Sequence, residues 1–246
     1  MALKKAHGNM YEWVTHMHSH LAGECSHECS YCYVVNPRSG RPERYCGPLR
    51  IVEDEFKVNY GEGKTIFIEH MNDMLAADVP DEFVQRILAH CCMWPHNTYV
   101  FQTKNPARYQ QRLYAETKMY EGVYRPKLVF PPNCILGTTI ETNRKIPEKI
   151  SKAPDPFLRV SNMVTCKKFV TIEPVMDFDV ETFASMIGQI KPDFINLGAD
   201  SKNRGLPEPT IEKIEELTRV LKDTYGIELR EKYNLKRLKR GEAVHE

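Results

Sequence analysis

Short apolar runs alternate with longer amphipathic ones along most of this chain. Residues 11–20 carry the period of two expected of a strand, with Trp13, Thr15 and Met17 on one side and Val14, His16, His18 and His20 on the other. Further strands are expected at 64–70, 97–103, 134–140, 168–172 and 193–197, most of them turning polar at the C-terminal end. Helical spacing of apolar residues falls between them. It covers 80–92 (Phe83, Val84, Ile87, Leu88), 107–119, 178–190 (Phe183, Met186, Ile187, Ile190) and 210–225 (Ile211, Ile214, Leu217, Val220, Leu221). Residues 36–58, with Pro37, Pro42, Pro48 and several arginines, read as an extended loop.

Strands that alternate with helices predict parallel βαβ units. Six such units make a partial (β/α)6 TIM-like barrel, an open relative of the eight-unit form, with its site at the C-terminal ends of the strands. The barrel is expected over residues 1–226. Residues 227–246 form a basic C-terminal extension, packed on the barrel or trailing from it.

Composition narrows the function. The 246 residues suffice for one α/β domain, and a net charge of +1 favours neither nucleic acid nor membrane through whole-chain electrostatics. The first residues lack an apolar signal core, and no apolar run approaches the ~18 residues of a membrane span. The eight cysteines are therefore expected to be thiols of a cytoplasmic, metal-binding protein rather than a disulfide framework.

Three of those cysteines are concentrated on one loop. Cys25, Cys29 and Cys32 follow the first strand in a C-x3-C-x2-C pattern, with Tyr31 just before the last. Three such thiolates suit an iron–sulfur cube, each holding one iron and leaving the fourth without a protein ligand. The same spacing admits zinc with His20 or His27 as fourth ligand, which would make a nucleic-acid module without catalysis. Cys46, Cys91, Cys92, Cys134 and Cys166 show no second compact spacing, so an auxiliary cluster is not expected. His16, His18 and His20 read as a polar strand face near the barrel mouth rather than as a metal site.

The cysteine loop and the strand pattern together resemble the radical S-adenosylmethionine (SAM) superfamily. Met-Tyr-Glu-Trp-Val-Thr-His near the start, Gln-Thr-Lys-Asn-Pro, Thr-Ile-Glu-Pro-Val and Gly-Ala-Asp-Ser sharpen the resemblance. They look like the compact, often phage-associated radical SAM proteins distantly similar to spore photoproduct lyase. The resemblance covers nearly the whole chain. It implies a 4Fe-4S cluster on Cys25, Cys29 and Cys32, with SAM chelating the fourth iron. It also implies reductive cleavage of SAM to a 5′-deoxyadenosyl radical that abstracts hydrogen from a substrate. An external one-electron reductant such as flavodoxin or ferredoxin is implied too.

Residues at the strand ends are then candidates for holding SAM. Tyr31 resembles the aromatic residue whose backbone lies near the adenine. Where the superfamily often has Gly-Gly-Glu, this chain has Glu69-His70-Met71-Asn72-Asp73, so Glu69, Asn72 and Asp73 are candidates for the amino group. Asp73 also suits a helix N-cap. Lys104 is the candidate for the carboxylate, and Thr139, Glu141 and Asn143 for the ribose, provided the strand extends far enough to put all three on one face. Arg144 points away and suits a salt bridge. Glu173, kept extended by Pro174, and Gly198 with Asp200 complete the set. A cysteine or tyrosine that returns hydrogen to the product is conceivable, but no residue stands out.

The substrate is expected to be a nucleic acid or nucleotide ahead of a peptide or small metabolite. The run 228–242 has six Lys/Arg against three Glu, a patch able to meet phosphates or simply a solvated tail.

Overall fold

A computed structural model describes residues 3–35, 40–113, 118–120, 123–164, 166–202 and 204–239. Expected features at 36–39, 114–117 and 240–246 lie outside the described residues.

The central element is an eight-stranded sheet. Its strands, in spatial order, are β1 (Lys4–Lys5), β2 (His16–His18), β5 (Thr65–Ile68), β6 (Thr98–Thr103), β9 (Cys134–Thr139), β10 (Lys168–Ile172), β11 (Phe194–Leu197) and β12 (Glu228–Glu231). From β2 to β12 every neighbouring pair is parallel, and β1 alone is antiparallel. The chain returns through α1 (Asp81–Cys92) after β5, α2 (Pro156–Ser161) after β9, α3 (Val180–Ile190) after β10 and α4 (Ile211–Tyr225) after β11. β3 (Leu21–Ala22) pairs with β4 (Arg50–Ile51), and β7 (Lys118–Tyr120) with β8 (Val123–Arg125), as small antiparallel ladders outside the main sheet.

Six of these strands match expected ones, and the sheet gains one at each edge. The pattern at 11–20 is shorter as a strand, because only 16–18 find ladder partners. The expected helix at 107–119 is instead a 3-10 turn over Pro106–Leu113 followed by β7. The basic extension opens with β12, which pairs with β11 and so continues the barrel wall.

The alternation along each strand separates two cores. Outward residues pack under the helices: Ile66, Ile68, Tyr99, Phe101 and Leu136 under α1, and Val170, Ile172, Ile195 and Leu197 under α3 and α4. The concave face takes Met17, Phe67, Val100, Ile135, Phe169 and Phe194, one from each of the six central strands. A sheet buried on both faces explains the near-continuous apolar runs. Burying side chains of this size contributes roughly 1.5–3 kcal/mol apiece.

The N-terminal segment fills the concavity. Tyr11 stacks on Trp13 at 5.3 Å, and the indole meets Phe169 and Phe194 edge-on at 5.4 and 5.2 Å. Gly137 makes room for this packing, since a Cβ there would lie 2.2 Å from the Phe169 ring. Above the apolar layer the Tyr11 hydroxyl bonds Gln102 and Thr171, both at 2.6 Å. The barrel is therefore plugged below and polar above, toward the strand C-termini.

Candidate active site

The cysteine loop leaves β3 through Gly23, whose φ of +91° and close approach to Pro48 admit no side chain; a Cβ would lie 2.2 Å from the Pro48 carbonyl oxygen. Glu28 takes the left-handed conformation at the turn between Cys25 and Cys29, donating its N–H to the Cys25 carbonyl at 3.2 Å. The Cys32 N–H closes the next turn on the Cys29 carbonyl at 3.0 Å. Segment 147–153 straps the loop from outside. Ser30 N–H donates to the Ile150 carbonyl and Lys152 N–H to the His27 carbonyl, both at 2.8 Å, while the Lys152 ammonium pairs with Glu28 at 2.7 Å.

The three thiols are free and partly buried. Burial and the neighbouring Asp73 carboxylate push the Cys25 thiol up to about 12, and burial raises Cys32 as well. The Cys29 sulfur and the Ser151 hydroxyl lie 3.1 Å apart. Thiolates at such positions need a positive centre to offset their desolvation, which is the chemistry a bound iron centre supplies. Among the described residues no three His, Cys, Asp or Glu side chains converge on a single ion. A cube takes each thiolate on a different iron, so that convergence is not what it requires.

The histidines proposed for zinc have other partners. His20 is fully buried; its Nδ1 lies 2.8 Å from Glu69, and its Nε2 lies 2.9 Å from His90 Nδ1 and 3.1 Å from the Tyr60 hydroxyl. His27 Nε2 bonds Asp73 at 2.8 Å. The face carrying His18 and His20 is thus a buried hydrogen-bonded layer between the sheet and α1, not a rim at the barrel mouth.

Asp73 joins the loop to the barrel. Its Oδ2 accepts from His27, from the Thr103 hydroxyl at 2.9 Å and from the Lys104 N–H at 2.8 Å, and its Oδ1 accepts from the Leu75 N–H at 3.0 Å. Burial alone would raise this carboxyl, but the bonds and the His27 charge bring it below its ordinary value. Asn72 donates to the Gly23 carbonyl at 3.1 Å, where the loop begins. Glu69, with φ of +57°, accepts from the His20 and Leu21 N–H groups. All three candidates for the amino group therefore hold the loop's approach, and Asp73 is the one whose charge acts on the Cys25 thiol.

A second cluster lies across the loop. Glu141, fully buried, accepts from Tyr31 at 2.6 Å and from Arg159 at 2.8 Å, and pairs with Lys104. The Lys104 ammonium also lies 5.0 Å from the Tyr31 ring centroid. Burial opposes the charge on Glu141, yet Arg159 and Lys104 hold the carboxyl down at about 2. Burial and that carboxylate keep the Tyr31 hydroxyl protonated, so it donates. Thr139 contributes its carbonyl to Arg159 at 2.9 Å and its hydroxyl to Gln102 at 2.8 Å.

Tyr31, Lys104, Thr139 and Glu141 are thus brought together, but Asn143 is not. β9 ends at Thr139, the alternation lapses, and Asn143 turns outward to pair with Asp179. Arg144 forms salt bridges with Asp177 and Asp179 there, as its placement in the sequence suggests.

The third cluster occupies the β10–β11 end. Glu173 accepts from Asn9 at 2.7 Å, from Asn234 at 2.8 Å and from Lys232 at 2.6 Å. Gly198 leaves space for it, since a Cβ would lie 3.0 Å from the Glu173 carboxylate and 2.8 Å from Asn234. Asp200 instead caps its own turn, accepting from the Lys202 and Arg204 N–H groups.

Sequence reasoning missed Arg159, Asn9, Lys232 and Asn234. Asp155-Pro156 does signal the start of α2, and Asp155 accepts from the Phe157 N–H at 2.9 Å. That signal would have placed Arg159 on the first turns of a helix facing the sheet. Nothing local marks the other three.

A partial barrel with a three-thiol loop after its first central strand is the α/β architecture of the radical SAM type. The chain belongs to the protein family of unknown function DUF5131, whose model matches residues 9–201. Among solved structures, one variant of spore photoproduct lyase superposes with a TM-score of 0.56 at 9% identity, covering 93% of this chain and 80% of that one. A second variant gives 0.54 at 11% identity, covering 90% and 78%. Such likeness establishes the shared fold. No curated protein sequence matches the chain, and no helix among the described residues is long and apolar enough to cross a membrane.

Proposed function

We propose that this protein is a radical SAM enzyme, with Cys25, Cys29 and Cys32 holding three irons of one 4Fe-4S cluster. The observation that carries this reading is the position of the three free thiols: one strapped loop at the C-terminal end of the first central strand, facing the polar side of a plugged barrel. When bound, the cluster supplies the electron that cleaves SAM into methionine and a 5′-deoxyadenosyl radical, which takes hydrogen from the substrate.

The chain's own residues then bind, orient and exclude. Asp73 fixes the cysteine loop through His27 and offers negative charge to a sulfonium and an amino group. Lys104 is the cation for the methionyl carboxylate, with Glu141 and Arg159 fixing its position. Tyr31 is held by Glu141 so that its backbone lines the adenine, and Thr139 with Glu141 serves the ribose. Glu173, anchored by Lys232 and Asn234, stands at the far side of the mouth. The aromatic plug of Tyr11 and Trp13 closes the barrel below, keeping water and stray hydrogen donors from a reactive primary radical. A nucleic acid or nucleotide is the substrate class, and an external one-electron reductant such as flavodoxin or ferredoxin is the partner.

Anaerobic reconstitution with iron and sulfide tests the assignment. A brown protein that produces 5′-deoxyadenosine from SAM and dithionite is expected. Alanine at Cys25, Cys29 or Cys32 should abolish iron loading, and Cys91→Ala or Cys92→Ala should not. A colourless protein carrying stoichiometric zinc would overturn it.

A further inference from the structure

A cleft of about 490 Å³ lies beside the N-terminal segment, walled by residues 8–13 on one side and by β11 and residues 230–233 on the other. None of the SAM-binding roles above uses it. Asn196, only 2% exposed, lines it with an Nδ2 that has no hydrogen-bond partner, while its Oδ1 meets Trp13 Nε1 at a long 3.5 Å. A buried amide left unsatisfied is costly, and native structures seldom retain one without a use. Tyr233 stands at the cleft 77% exposed, far more than an aromatic ring of that size gains by facing water, with the Lys236 ammonium 4.9 Å from its ring centroid.

The charges in the wall are largely spent on one another. Arg230 pairs with Glu228 at 2.7 Å and lies 3.7 Å over the Phe194 ring; Lys232 is bound to Glu173, and Glu231 to Lys239 at 2.6 Å. With Glu12 exposed at the rim, the cleft has no surplus of positive charge to attract a phosphate. What remains is a flat aromatic surface and an amide edge able to donate and accept. An uncharged planar ring with a hydrogen-bonding edge complements both, and asparagine is suited to the paired donor and acceptor of a base edge.

We propose that this cleft binds a nucleobase, its ring stacked on Tyr233 and its edge bonded to the Asn196 amide. The base belongs either to a free nucleoside or to an unpaired nucleotide of a strand. Asn9 and Lys232 line the cleft and also bond Glu173, so the occupant sits next to the barrel mouth. The inference does not require the cluster.

Calorimetric titration of the full-length protein with adenosine, thymidine and a short single-stranded oligonucleotide tests it. Saturable binding is expected, weakened roughly 5- to 150-fold by Tyr233→Ala, as for loss of one base–aromatic stack, and preserved by Tyr233→Phe. Asn196→Asp, which removes both donors, should change the order of preference between adenosine and thymidine. Tighter binding of the oligonucleotide identifies a strand as the source, and equal binding a free nucleoside. Absence of binding by all three probes, indifference to Tyr233→Ala, or equal affinity for an aromatic tripeptide would overturn the assignment. Formation of 5′-deoxyadenosine in the same preparation reads the radical SAM assignment separately, so either can fail alone.

Discussion

Neutralising Glu141 should be among the most damaging single changes near the site. Its side chain and that of Arg159 are both fully buried, and it also holds Lys104 and Tyr31. The carboxyl falls from an ordinary 4.5 to about 2, which at ~1.4 kcal/mol per pH unit corresponds to about 3 kcal/mol. Glu141→Gln would leave the buried Arg159 guanidinium without its carboxylate, and breaking such a pair costs about 3–5 kcal/mol. Arg159→Met alone should cost a similar amount. Together the two changes should cost much less than their sum, because neither partner is then buried alone. Urea denaturation of the four proteins at pH 7 measures the coupling. The pH dependence has a fixed sign: a depressed carboxyl contributes its stability above the unfolded value and loses it as pH falls from about 4.5 through about 2. Glu141→Gln should remove that component. Additive single and double variants, with an unchanged acid profile, would refute the argument.

Other consequences follow from the same packing. Asp73→Ala leaves His27, the Thr103 hydroxyl and the Lys104 N–H without their acceptor, so a loss of about 3 kcal/mol is expected on denaturation, with faster release of iron to a chelator from the reconstituted protein. Equal stability and equal release would show that the Asp73 anchor is dispensable. Burial holds His18 at about 3 and His90 at about 4, so both stay neutral in the fold while the unfolded chain takes up protons near 6.5. Their contribution is complete above that value and lost as pH falls toward 4 and 3. Each should cost about 2 kcal/mol by pH 5, and His18→Gln should flatten the fall in Tm between pH 7.5 and 5. Gly137→Ala drives a methyl into the Phe169 ring and should destabilise by about 1–3 kcal/mol; Phe169→Leu in the same chain should restore part of it, and no rescue would place the strain elsewhere.

What the sequence discloses depends on whether a residue's neighbours lie along the chain or across it. The six central strands were legible because a sheet covered on both faces imposes apolar character residue by residue; the expected strand at 134–140 is observed at Cys134–Thr139. The pattern at 11–20 overran for the same reason. Tyr11 is buried and Trp13 half-buried against the concave face, so they alternate like strand residues while having no ladder to join. β12 failed the opposite test: in Glu-Leu-Arg-Glu only Leu229 is apolar, because an edge strand buries little, and its charges read as a tail. The cysteine loop was legible since its geometry is written within eight consecutive residues. Arg159 and Lys232 were not, because each is defined by a carboxylate 18 or 59 residues away that only strand register brings near. The same dependence on register explains why Asn143 was misplaced. Asn143 lies four residues beyond the end of β9, where the alternation no longer governs, and its side chain follows Asp179 instead of the barrel mouth. The order of the thiols is written in consecutive residues, but the loop that carries them is held by segment 147–153, Asn72 and Asp73, so loss of packing should disorder it together with Lys104, Glu141 and Glu173.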